Sequence, residues 1–129
     1  MRYGASGFMS GWEGARGFVA FQMEGRRIRF DLIMPNREDF RSTPGGRRER
    51  SDNDTFRAWK QGCRQSWRAL ALVIKAKLEA IASGISCFED EFMAHIVMPD
   101  GKTVSQHIRP GIAAAYATGK MPLLLPNSV

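Results

Sequence analysis

Residues 55–83 set the strongest limit on what this chain can fold into. Phe56, Trp59, Cys63, Trp67, Leu70, Ile74, Leu78 and Ile81 recur at spacings of three and four. At 100° per residue they share an arc of roughly 100°, the signature of an amphipathic helix. A helix of that length with one continuous apolar stripe must lay the stripe on a second layer of structure. Asp52 or Asn53 is placed to cap its start, and Gly84 to stop it. Gly62, Ala69, Ala76 and Ala80 form a small-residue flank, which predicts a helix contacted on two sides.

The N-terminal third supplies the second layer. Tyr3-Gly4-Ala5-Ser6-Gly7 reads as a turn, and residues 8–12 as a short strand. Residues 17–23 and 26–34 read as a β-hairpin around Glu24-Gly25. Ile28, Phe30, Leu32 and Met34 alternate with Arg27, Arg29, Asp31 and Ile33. Period two sends the first set to the core and the second to the open face. Residues 36–54, with Pro44-Gly45-Gly46 at their centre, read as a flexible polar loop, long enough to invite a binding role.

Beyond the long helix, Ser86-Cys87-Phe88-Glu89 has the form of a capping box opening a short helix to about Ala94. Pro99-Asp100-Gly101 predicts a tight turn. Thr103-Val104-Ser105-Gln106 is a second capping box, opening a helix toward Thr118 and Gly119, with a kink or break expected at Pro110. Residues 121–126 form a short apolar tail expected to dock on the body. The reading is an α+β fold in a single domain, 1–129: a small antiparallel sheet packed on one long central helix, followed by two shorter helices.

Composition narrows the function classes. Of 129 residues 43% are hydrophobic and 25% charged, enough apolar material for one core. The longest apolar run, residues 69–74, is far short of the ~20 residues that span a bilayer. The Gly-rich residues 1–16 lack the apolar core of a secretory signal. Cys63, on the apolar arc, and Cys87 have neither metal-ligand spacing nor the context of a nucleophile. A cytoplasmic location with no membrane partner is expected. No phosphate-binding or dinucleotide-binding glycine motif occurs, and nothing calls for a cofactor.

The net charge of +6 is unevenly spread. Residues 55–83 carry six basic groups and Glu79, a net +5, whereas residues 36–54 carry five of each sign. Arg57, Lys60, Arg64, Arg68 and Lys75 fall within roughly 80° of one another beside the apolar arc. From Arg57 to Lys75 the helix rises roughly 27 Å, so the row can meet several phosphates. The bland reading is a solvated face whose long stems cover the rim of the core. Arg27 and Arg29 on the hairpin are further candidates, with edge protection by charge as their plainer role. The loop arginines Arg37, Arg41, Arg47, Arg48 and Arg50 face cancellation by Glu38, Asp39, Glu49, Asp52 and Asp54.

Glu89, Asp90, Glu91 and His95 form an acidic cluster with a histidine, but the macrodipole at a helix start accounts for its carboxylates, and a metal would need more ligands. His107 has no partner visible in the sequence. Trp59 and Trp67 read as core rather than as a base-stacking platform. Trp12 is not assigned by the pattern. No catalytic residue emerges.

Several stretches resemble a family of small uncharacterised proteins of bacteriophages and prophages. They are Tyr3-Gly4-Ala5-Ser6-Gly7-Phe8, the segment from Gly25 to Leu32, that from Trp67 to Ala80, that from Phe92 to Val104, and the ending from Thr118 to Pro126. The resemblance spans almost the whole chain. It implies no activity and no catalytic residues. It also implies that relatives carry a further helix before the Tyr-Gly-Ala turn, so that the hairpin face of this chain would be partly uncovered. The expected function is that of a phage-type accessory protein binding nucleic acid through the basic helix face. The alternative is a protein-interaction module, such as an inhibitor of a host factor, whose partner is a host or phage protein. An enzyme ranks third. Oligomeric state is left open.

Overall fold

The computed structural model describes residues 4–46 and 48–121. Arg47, Tyr3 of the opening turn and residues 122–126 of the apolar tail lie outside them. The architecture is α+β. Three strands, Ser6–Glu13 (β1), Arg16–Met23 (β2) and Arg26–Ile33 (β3), form an antiparallel sheet in the order β1-β2-β3. One long helix, Asp52–Ala82 (α1), and two shorter ones, Phe88–Phe92 (α2) and Val104–Thr118 (α3), follow.

The hairpin forms where the sequence places it. Glu24 at φ 55° and Gly25 at φ 69° supply the two left-handed positions of a type I′ turn. That turn fixes the register, pairing Val19 with Phe30 and Phe21 with Ile28. Ile28, Phe30 and Met34 are buried, Leu32 is half-buried, and Ile33 points to the other face at 78% exposure. Phe21, Met23, Ile28 and Phe30 meet Ile74 and Leu78 of α1 and Phe88 and Phe92 of α2 in one core. Phe92 stands edge-on to both Phe21 and Phe30. Each fully buried ring of this kind stabilises the fold by about 1.5–3 kcal/mol.

α1 crosses the inner sheet face by close approach at its middle. The indole of Trp67 lies over Gly17, where a methyl group would sit 2.7 Å from Trp67 Cζ2. Gly62 receives the ring of Phe40 in the same way, at 2.6 Å. Ala69 and Ala76 of the small-residue flank are exposed and serve no second contact, while Ala80 is half-buried. The helix starts at Asp52, and its cap is Ser51, whose hydroxyl accepts from the amide of Asp54; neither Asp52 nor Asn53 does this. The polar segment before it carries its own local structure. A single 3₁₀ turn, Arg37–Phe40, is followed by a bridge between Ser42 and Glu49, and the Arg50 guanidinium donates to the carbonyls of Phe40 and Ser42.

Three sequence expectations change on the C-terminal side. The Ser86 capping box does not form. Cys87 is the cap residue of α2 without a side-chain bond, and Ser86 turns to Glu91 instead. The second box, Thr103 with Gln106, is present in full. α3 runs without a break through Pro110. Gln106 and Pro110 both lie on the exposed side, where water can take the carbonyl that Pro110 leaves without a donor. His107, without a visible partner in the sequence, lies 2.7 Å from Asp100 across the Pro99-Asp100-Gly101 turn.

The two sheet edges differ. Ile96 bridges to Ile28, and the amide of Val97 donates to the carbonyl of Arg27, so the β3 edge is covered. β1 forms the other edge, and among the described residues no segment pairs with it on its outer side.

Candidate nucleic-acid interface

The basic row follows from the helix period once Ser51 has fixed where α1 begins. Arg57, Lys60, Arg64, Arg68 and Lys75 are all exposed. Arg57, Lys60, Arg64 and Arg68 enter none of the ion pairs among the described residues. Arg64 is steadied by Gln61, whose amide oxygen accepts from Nη2 at 2.8 Å and from Nε at 3.3 Å. Lys60 Nζ lies 5.2 Å from the centre of the Phe56 ring, which Arg37 also covers at 5.1 Å. Such cation–π seats leave the charge at the surface while fixing its position. The sixth cation of the helix, Lys77, points inward. It donates to the Glu91 carbonyl at 3.0 Å and lies 3.5 Å from the Glu91 carboxylate, tying α2 to α1.

The row runs beside a groove of about 360 Å³ between β1 and α1. Phe8, Val19, Trp67, Ala71 and Ile74 give it an apolar floor, and Lys75 stands at its margin. β1 places Phe8 and Trp12 on the same side, each 46% exposed. Phe8 stacks on Phe21 at 4.9 Å. Trp12 packs against Trp59 at 6.1 Å and Trp67 at 6.4 Å, and its indole nitrogen donates to the carbonyl of Gly14. Trp59 and Trp67 are half-buried, and Trp59 donates to the carbonyl of Pro35. Phe8 and Trp12 are residues that sequence reasoning missed. The two-residue spacing from Phe8 through Ser10 to Trp12 held a strand-face signal, masked by the glycines on either side.

Arg27 and Arg29 do not join the row. Alternation with Ile28 and Phe30 turns them to the opposite face of the sheet from α1. Arg29 is engaged in structure: it donates to the Gly101 carbonyl and to Gln106, and its Nε lies 3.5 Å from Asp31. Of the loop arginines, Arg41 is engaged by Glu38 and Asp52, and Arg50 by backbone carbonyls.

The acidic cluster is dispersed. Glu91 binds Ser86 and Lys77, which hold its carboxyl below the usual range, while His95 stacks on Phe30 at 3.9 Å. Burial is the main force lowering the His95 pKa, with the Lys77 charge second. Among the described residues no three His, Cys, Asp or Glu side chains gather in a metal-binding group. Cys63 is buried, and desolvation raises its thiol pKa, opposite to what a nucleophile requires. No described helix is long and apolar enough to cross a membrane. No family model, curated protein or solved structure matches this chain.

Proposed function

We propose that this chain is a phage-type accessory protein that binds nucleic acid without sequence preference through the exposed flank of α1. The observation that carries the reading is the row Arg57, Lys60, Arg64, Arg68 and Lys75 on one side of a single rigid helix. Five cations spaced along a helix neutralise phosphates one by one and release their counterions. They make point-charge contacts, which carry no base information.

Titration of a labelled duplex at two salt concentrations tests this. Affinity falls steeply with salt, with a log–log slope near −0.9 per phosphate neutralised. The double substitution Arg64→Ala/Arg68→Ala weakens binding about equally for unrelated sequences and flattens the slope by about two. Both side chains lie outside the core, so the fold persists. If nothing binds at ~50 mM salt, where electrostatic attraction is exaggerated, the reading fails. The protein-interaction module then takes its place, with the row set against an acidic protein surface.

A further inference from the structure

We infer that the surface selects single-stranded nucleic acid, whose unpaired bases lie on the aromatic strip of β1 and α1 while the α1 cations hold the phosphates. This rests on the nucleic-acid reading above and adds to it the class of ligand.

From Trp67 through Trp12 and Trp59 to Phe56, aromatic rings adjoin one another on the first half of α1, and Phe8 lies with Trp67 along the apolar groove. Phe8 and Trp12 are each 46% exposed, so their rings offer surface to solvent, whereas the Phe56 ring is covered by Arg37 and Lys60. The cationic row lies on the same flank, with Lys75 at the margin of the groove and Lys60 over Phe56. Alternating cations and open aromatic faces suit a strand whose bases are free to stack. A duplex keeps its base faces covered by one another, so it gains from the charges alone.

Two other occupants fit less well. A second copy paired antiparallel through β1 would set both α1 helices on the same face of the joined sheet. The cationic flank of each, which lies on the β1 side, would then face the other, and like charges would oppose. An extended protein strand added to the β1 edge needs a regular ladder. β1 is irregular where it would begin: its register shifts between Ser6 and Met9, and Gly7 sits at φ 64°. Bulges of this kind blunt an edge against strand addition.

The experiment compares an unstructured single-stranded oligonucleotide of about 20 nucleotides with the same sequence as a duplex, both at ~50 mM salt. Binding is followed by anisotropy and by quenching of tryptophan emission. Wild type is expected to favour the single strand, and Trp12→Ala to lose on the order of tenfold for it while duplex affinity is unchanged. Trp12→Phe, which keeps a stacking face, retains most of the preference. Phe8→Ala provides a second variant should Trp12→Ala fail to fold by circular dichroism. Equal affinity for the two forms, or equal losses for both in Trp12→Ala, overturns the inference and leaves the basic-face reading intact. Binding of neither form overturns both. Binding of a peptide of alternating valine and glutamate more tightly than the single strand overturns the inference in favour of a protein strand.

Discussion

Gly17→Ala is a sharp test of how α1 sits on the sheet, because two effects of opposite sign meet there. Gly17 has no left-handed backbone requirement, so alanine can take its conformation. On that ground alone the substitution stabilises by ~0.4–1 kcal/mol through a less disordered unfolded chain. The added methyl, however, would lie 2.7 and 2.8 Å from two indole carbons of Trp67 and 3.4 Å from Met34 Cε. Favourable carbon contacts are about 3.5–4.0 Å, so the overlap with the indole is close to 1 Å. Trp67 is rigid and backed by Trp12, so α1 has to lift or the ring has to leave its rotamer. Overpacking of this size costs about 1–3 kcal/mol, leaving a net loss of about 0.5–2 kcal/mol. Urea denaturation reads this as a midpoint lower by about 0.5–1 M with an unchanged slope. In the double variant Gly17→Ala/Trp67→Phe the smaller ring clears the methyl, so the two losses add to less than their sum. A raised midpoint for Gly17→Ala, or strictly additive losses, would refute the seating of Trp67 on Gly17.

Two further outcomes follow from the contacts described. Trp59→Phe keeps an aromatic ring but removes the bond to the Pro35 carbonyl, 2.8 Å in the wild type, and should cost about 1 kcal/mol in urea titration; an unchanged midpoint would show that the bond contributes nothing. His95 has a folded pKa below its ordinary value of 6.5, so the unfolded chain takes up its proton first as pH falls. Stability is then flat above that value and declines below it. Glu91, also lowered, contributes stability that is complete above 4.5 and lost as pH falls through its folded pKa. Midpoints at pH 7.5 and 5.5 should differ in wild type and differ less in His95→Gln; an equal drop in both would assign the effect elsewhere.

The parts of the fold legible in the sequence are those fixed by local chemistry. Glu24-Gly25 specifies its own turn, the alternation from Ile28 to Met34 specifies a face, and Thr103 with Gln106 closes a box within one helical turn. The parts that were not legible depend on competition or on distance. Ser51 takes the cap of α1 although Asp52 and Asn53 also offer themselves, and Cys87 takes the cap position of α2 while Ser86 turns to Glu91. The basic row was readable because a helix wheel needs no partner. Its aromatic border was not, since Trp12 acquires its place only when β1 pairs with β2 and brings it beside Trp59 and Trp67. Arg27 and Arg29 share the face away from α1; Arg27 is exposed there as expected, but Arg29 is half-buried against Gly101 and Gln106, contacts that nothing local in the sequence announces.

None of the residues of α3 is buried. It is attached by the bridge of its cap residue Thr103 to Val97, by the Arg29 bond to Gln106 and by half-buried residues such as Val104 and Ile108, while Tyr116 near its end is 89% exposed. The free energy of folding is therefore concentrated in the sheet, α1 and α2, and α3 belongs to the segments that open at small cost. Its amides should exchange with solvent well before those of β2 and β3. A protease that cuts after aromatic residues should cleave at Tyr116 while the tryptophans still report a folded environment. A single melting midpoint consequently describes the body of the protein, and the third helix unfolds on its own schedule.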